Sequence, residues 1–379
     1  MNLKIDWEQL TAKRTGWKKG WTIISIALVG TGALVSILLL FFTPVSSSDN
    51  PQSIWIDRDD NIDSVKAKIE RREVNRMAFA GWKMLAGMSG YGERIATGHY
   101  VIEPEMNSLT LLRRLKGGMQ TPVKLTVATV RTREKLAADL AEKMMMDSTE
   151  VINALRDSSI CAAYGLDTAN IIGMFLPNTY EIYWNVTVDN LMKRMKKESE
   201  AFWTDDKKAK ATRLGLTPEE VITLASIIDE ETANNGEKPD VAGMYLNRIK
   251  QGMPLQADPT VKFALQQFQL RRIYHSMLTI DNPYNTYNRE GLPPGPIRIP
   301  SMAGINAVLN ATEHDYLYMC AKEDFSGTHR FAKTYSEHLA NARRYTKALN
   351  ERGVKYRVKQ DRVNGTNDGK PPVTCRYTS

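Results

Sequence analysis

Thr217-Pro218-Glu219-Glu220-Val221-Ile222-Thr223-Leu224-Ala225-Ser226-Ile227-Ile228-Asp229-Glu230-Glu231-Thr232 is the stretch whose reading decides how this chain is organised. Thr217 with Glu220 three residues on is a capping box, and Pro218 falls at the first helical position, where a missing N–H costs nothing. A helix therefore begins here. At about 100° per residue, Val221, Leu224, Ala225 and Ile228 share one side, while Leu224, Ile227, Ile228 and Glu231 follow the i, i+3, i+4, i+7 spacing of a single face. Glu231 is thus expected on the apolar face, with Glu230 pointing away and Asp229 near the edge. Of three adjacent acids, only one is drawn inward.

A carboxyl placed there is desolvated, and desolvation favours its neutral form. A general acid needs that proton near neutral pH, for transfer to a leaving oxygen. The plainer alternative is a polar residue at the end of a buried helix, satisfied by a neighbouring Arg or Lys.

The chain has 379 residues, 25% charged and 42% hydrophobic, a globular composition with room for two domains and accessories. Its net charge of +8 suits a solvated surface as well as an anionic partner such as nucleic acid, an acidic membrane or a cell-wall polymer. Cys161, Cys320 and Cys375 lie far apart and match no metal-ligand spacing; at most one internal disulfide could form, with Cys375 the odd one out in a polar tail. No Gly-x-Ser-x-Gly, His-Glu-x-x-His, phosphate loop or internal repeat occurs.

Residues 1–20 carry five Lys and Arg against Asp6 and Glu8, and residues 21–42 carry no charge. That run is about long enough to cross a ~30 Å hydrocarbon core as a helix, and its basic flank puts the N-terminus in the cytoplasm. A cleaved signal peptide is the competing reading, but the apolar stretch exceeds the usual length and residues 43–46 offer no small-x-small site. The expectation is a retained transmembrane helix over 21–43. The rest of the chain would then work outside the cytoplasmic membrane, away from nucleic acid and ATP.

Residues 44–52 read as a Ser/Pro/Asp-rich linker. Strand-like residues 53–56, two helical patterns through Leu85 and a returning strand at 98–102 give the order of a LysM-like glycan-binding module, or of a mere spacer. Gly117-Gly118 marks the expected boundary, so that 44–118 is linker and module and 119–350 a mixed domain. Residues 171–183 are rich in aromatics, suited to sugar stacking or to core packing. A second amphipathic helix over 239–250 precedes loops at 252–260, 282–287 and 291–297, which are rich in Gly, Pro, Asn, Thr and Tyr. Such side chains offer neutral donors and acceptors to sugar hydroxyls and acetamido groups. His329 and His338 are weaker site candidates, and residues 351–379 read as a basic tail.

Taken together, 224–232, Asn247-Arg248, Leu255-Gln256-Ala257-Asp258-Pro259-Thr260, Tyr284-Asn285-Thr286-Tyr287, 291–297 and Asp315-Tyr316-Leu317-Tyr318 resemble, in order, the endolytic murein transglycosylases of the MltG/YceG-like family. The resemblance covers residues 50–350 and implies an α+β ectodomain on one N-terminal transmembrane helix: a small LysM-like module followed by a mixed α+β YceG-like catalytic domain. It implies an enzyme cutting nascent peptidoglycan internally, between N-acetylmuramic acid and N-acetylglucosamine, with cell-wall synthases as partners and no metal or organic cofactor. The family's catalytic glutamate precedes a threonine and falls on Glu231. Gln256, Asp258, Tyr284, Asn285, Thr286 and Tyr287 carry over as cleft lining, with His329 and His338 behind them. Asn178, Ala257 and Leu339 depart from the family's aspartate, threonine and asparagine.

One strong acid candidate, where a hydrolase usually pairs two carboxyls, implies an intramolecular route that closes a 1,6-anhydro ring without water. Asp229, Glu230 and Asp258 are the further carboxyls that a hydrolysing muramidase would use. A non-catalytic glycan-binding scaffold for synthases is the alternative of another class.

Overall fold

The uncharged run lies within a longer helix, α1 (Trp7–Phe41). Its last 18 residues, Ile24–Phe41, are long and apolar enough to cross a membrane, and none of that window is buried in the protein. The computed structural model describes residues 7–270 and 273–352. Part of the expected cytoplasmic segment, residues 1–6, and most of the basic tail, including Cys375, lie outside them.

Residues 44–48 depart from the free linker expected of them. Val45 is buried, its N–H donates to the Met106 carbonyl (2.8 Å), its own carbonyl accepts from Asn75 N–H (2.8 Å), and Ser47 N–H donates to Glu73 (2.8 Å). Ser and Pro signal a break in helix or strand; they do not prevent the backbone from pairing with a neighbour.

This segment belongs to a first compact unit made of residues 1–124 and 181–185. Its elements after α1 are β1 (Gln52–Ile56), α2 (Ile62–Glu70), α3 (Arg76–Met88), β2 (Gly98–Ile102) and α4 (Ser108–Lys116). Asn61, Asn75 and Asn107 start the three short helices, each side chain accepting from first-turn N–H groups that have no partner inside the helix. β1 and β2 pair antiparallel with Ile54 opposite Tyr100, over a core that includes Ile69, Trp82 and Leu111. Strand, helix, helix, strand is the order the sequence predicts.

The expected boundary at Gly117-Gly118 instead ends α4, where Gly118 supplies the left-handed turn (φ +63°). The chain leaves the first unit within β3 (Val123–Thr126), and β4 (Thr179–Ile182) leads back to it briefly. The second unit comprises residues 125–180 and those from 186 on. It begins with α5 (Arg133–Lys143), α6 (Ser148–Arg156) and α7 (Ser158–Ala163), then α8 (Val188–Phe202), α9 (Asp205–Arg213), α10 (Pro218–Glu231), α11 (Lys238–Lys250), α12 (Asp258–Ala264) and α13 (His275–Leu278). After α14 (Met302–Leu309), the antiparallel pair β5 (Tyr318–Ala321) and β6 (His329–Ala332) precedes α15 (Tyr335–Glu351). Cys161 and Cys320 are both buried, and no disulfide joins them to each other.

α10 is the centre of this unit. Its capping box forms as the spacing predicts, Thr217 N–H donating to Glu220 Oε2 (2.7 Å) and Glu220 N–H to Thr217 Oγ1 (3.2 Å). Every residue from Val221 to Ile228 is buried, so the helix is enclosed on all sides instead of presenting one apolar face. Met244 and Tyr245 of α11 and Ile305 and Val308 of α14 share its core. Ser226, fully buried, donates to the Thr223 carbonyl (2.7 Å) and accepts from Ile297 N–H (3.0 Å), which ties the proline-rich 291–297 loop to the helix.

Candidate active site

The three acids that end α10 meet three different environments. Asp229 was expected near the helix edge, yet its side chain is 4% exposed and pairs with the equally buried Lys238 (2.7 Å). It also accepts from the Ser301 hydroxyl (2.9 Å) and backbone N–H, so it anchors the N-terminus of α14. Gly304 is required beside it, because a Cβ there would lie 2.6 Å from Asp229 Oδ1.

Glu230 was expected to point away into solvent. It is instead held by two arginines: Arg131 donates from Nε and Nη2 (both 2.8 Å) and Arg298 from Nη1 (2.8 Å). A helix with no solvent-facing side has nowhere else to put these carboxylates, and paired cations are what make their burial tolerable.

Glu231 is the last residue of α10 and is buried. Its Oε1 accepts from the Tyr245 hydroxyl at 2.7 Å. Burial above all pushes that phenol far above its ordinary value, Arg248 opposing and Tyr287 and Asp258 adding to the rise. Tyr245 therefore stays protonated and acts as a neutral donor.

A second carboxyl is held in the same manner. Asp258 opens α12 and accepts from the Tyr287 hydroxyl at 2.5 Å. Burial raises the Asp258 carboxyl above its ordinary value despite the opposing effects of Tyr287 and Lys262. Tyr287 is itself raised far above the usual phenol, first by burial and then by Asp258.

Arg248 of α11 organises the loops around this pair. Buried, it donates from Nη1 to the carbonyls of Pro254 (3.1 Å) and Leu255 (2.9 Å) and to Gln256 Oε1 (3.3 Å), and from Nε to Leu317 (2.6 Å). Gln256 has φ +52°, a left-handed conformation that costs a non-glycine residue of order 1 kcal/mol or more and needs such support. Its N–H donates to the Thr286 carbonyl (2.9 Å), which ties the 252–260 loop to the 282–287 loop.

The other residues expected to line a cleft divide. Asn285 and Thr286 are buried inside the loops: Asn285 Nδ2 donates to the carbonyls of Leu278 (2.8 Å) and Ile280 (2.9 Å), and Thr286 Oγ1 lies 2.8 Å from Thr260 Oγ1. Their polar atoms hold loop shape. Tyr284 packs on Phe263 (ring centroids 4.7 Å apart) and lines a cavity of about 500 Å³ with Arg131, Arg133 and Asn282.

His329 is clamped by Glu237, whose carboxylate accepts from the His329 backbone (2.5 Å) and lies 2.9 Å from Nδ1. Burial would raise the Glu237 carboxyl, but these bonds outweigh it and hold it below the ordinary value. His338 stacks on Tyr318 (5.4 Å), and burial, with Arg248 adding, pushes its imidazole down.

Tyr245, Arg131, Arg298, Lys238 and Ser301 escaped the sequence reading. Tyr245 lies within the amphipathic pattern of 239–250; a buried phenol needs a hydrogen-bond partner, and that is the signal its sequence position offers. Arg131 and Arg298 lie 99 and 68 positions from Glu230, and no local pattern marks them.

The comparisons agree with this architecture. The YceG-like family matches residues 54–344, and the chain belongs to that family. The endolytic murein transglycosylase of Bacillus subtilis strain 168 is 26% identical over 318 residues, 79% of this chain and 86% of that protein. That of Streptococcus pneumoniae strain D39 is 26% identical over 288 residues, 65% of this chain, which spans 50% of the pneumococcal protein. A crystal structure of a yceG-like protein from Listeria monocytogenes, 24% identical, superposes with a TM-score of 0.50 over 77% of this chain and 99% of that one; it supports the fold alone.

Proposed function

We propose that this protein is a membrane-anchored endolytic lytic transglycosylase that cleaves the β-1,4 bond between N-acetylmuramic acid and N-acetylglucosamine in peptidoglycan. The observation that carries this reading is the placement of Glu231: it is buried at the last position of α10, directly before Thr232, with its Oε1 accepting from the Tyr245 hydroxyl at 2.7 Å. The names of the 26%-identical relatives supply the substrate class.

In this reading a general acid at this position carries the proton to the scissile bond. Glu231 then protonates the glycosidic oxygen as the bond to C1 breaks, with the muramic acid's own acetamido carbonyl supporting the positive charge. The Tyr245 hydroxyl supports the carboxylate so formed. Glu231 next takes the proton from the C6 hydroxyl of the same sugar, whose oxygen attacks C1 and closes the 1,6-anhydro ring. Asp229 and Glu230 are engaged by cations, Lys238 for the one and Arg131 with Arg298 for the other.

One observation favours a second reading. Asp258 is another carboxyl held by a phenol, and a muramidase would use it to direct water at C1. The transglycosylase is preferred because that is the name the relatives bear.

In the same proposal, α1 is a single-pass anchor with a cytoplasmic N-terminus, and the strand–helix–helix–strand core of the first unit is a LysM-like glycan-binding module. Mass spectrometry of soluble products from peptidoglycan treated with the full chain, beside Glu231→Gln, tests the chemistry. Anhydro-muramyl ends from the parent alone support it. Reducing muramyl ends favour the muramidase, and retention on peptidoglycan without products favours a binding scaffold.

A further inference from the structure

The face of α3 beside the end of α1 has no covering within the first unit. Met77, Met84 and Met88 are 49%, 50% and 78% exposed, and Ala80 and Gly87 between them are exposed too. At about 100° per residue, these five positions fall within an arc of about 100°, a continuous apolar stripe. Trp82, Phe79 and Ala86 occupy the opposite, buried side. Soluble proteins rarely leave such a stripe to water.

What bounds the stripe says what covers it. Gly81 adjoins one edge and abuts Leu40: a Cβ there would lie 2.0 Å from the Leu40 carbonyl oxygen. Ser108, fully buried, places its hydroxyl within hydrogen-bond distance of that same carbonyl (3.0 Å) and of the Ala78 carbonyl in α3 (2.6 Å). The end of α1 is therefore fastened to α3 and α4. Leu40 is the next-to-last residue of the apolar window Ile24–Phe41, so α3 meets α1 at the level where that window ends. Exposed Leu38, Leu39 and Phe42 continue the apolar surface around the junction. Along the other edge lie Arg76 and Lys83, both exposed, with Arg71 and Arg72 just before the helix. Apolar side chains flanked by long cationic ones describe a helix that lies in a membrane interface, its cations reaching the phosphates.

We propose that α3 is a second membrane contact, laying Met77, Met84 and Met88 into the anionic phospholipid interface at the end of the α1 span. This rests on reading α1 as a bilayer span and is independent of the chemistry at Glu231. The first unit is then seated on the bilayer surface and not free to swing on a linker.

Nitroxide labels test it in the full chain, reconstituted into vesicles of phosphatidylethanolamine and phosphatidylglycerol, with Cys375→Ser leaving only the two buried native thiols. Labels at Met84→Cys and Met88→Cys should relax more with oxygen than with an aqueous nickel chelate, as should Leu34→Cys within the span. Asp59→Cys, exposed in the same unit, should show the reverse order. Arg76→Glu with Lys83→Glu should erase the oxygen preference at Met84 and leave that at Leu34. Water-like relaxation at Met84 and Met88 with lipid-like relaxation at Leu34 overturns the interfacial contact and leaves the anchor standing. Water-like relaxation at all three overturns both.

Discussion

Asp229 and Glu230 on one side, Glu231 and Asp258 on the other, show two ways of burying a carboxyl. The first two are matched by cations, Lys238 for Asp229 and Arg131 with Arg298 for Glu230. The other two accept from phenols, Tyr245 and Tyr287, whose own protons burial makes hard to remove. A cation at contact distance offsets the charge of a carboxylate withdrawn from water. A phenol that keeps its proton satisfies a carboxyl oxygen with a neutral hydrogen bond.

The contrast can be broken most sharply at its centre. Glu231→Gln is expected to lose about 10²–10⁴ in rate of anhydro-muramyl release, the usual contribution of acid–base transfer, with far-UV circular dichroism unchanged. Equal losses from Asp229→Asn in a folded protein would end the distinction between the acids.

Next in size is the ion pair. Lys238→Met leaves Asp229 buried without its cation and should cost about 3–5 kcal/mol in urea unfolding, much of it recovered when Asp229→Asn is added. Tyr245→Phe is expected to act on both stability and rate. Losing the donor costs about 1–3 kcal/mol at a buried acceptor. It should also lower the rate of anhydro-muramyl release, because the Tyr245 hydroxyl positions the Glu231 carboxyl.

The smallest effects carry opposite signs and sharpen the comparison. Asp258 has its folded proton affinity raised above the ordinary 3.8, so its contribution is whole below that value and is lost as pH rises through the folded one. Asp258→Asn should therefore gain stability at neutral pH and gain none in acid. Glu237, bonded to His329, is lowered below 4.5, so its contribution is present above that value and disappears as pH falls through the folded one. Glu237→Gln should lose stability at neutral pH and lose progressively less as pH falls below 4.5. Urea midpoints measured across pH 3–8 check both.

Much of the fold was legible because local chemistry announces it. The capping box at Thr217 and Glu220, the strand–helix–helix–strand order between residues 52 and 102 and the apolar run ending at Phe41 rest on interactions within a few residues of each other. The candidate site was legible only in part. Glu231 was singled out by a one-faced reading of α10, but the helix is buried all round and its face does not distinguish the three acids. Asn285 and Thr286 read as polar lining because of their residue types; their polar atoms hold the loops together.

The sequence by itself determined where α10 begins and ends, that a carboxyl closes it, and that one long apolar helix stands at the N-terminus, since caps, periodicity and runs of hydropathy are written in neighbouring residues. Only the tertiary structure decided which acid meets a phenol and which meet cations, and that residues 44–48 join the first unit. Protonation at a site depends on burial and on partners within a few ångströms, and those partners come from segments far away along the chain.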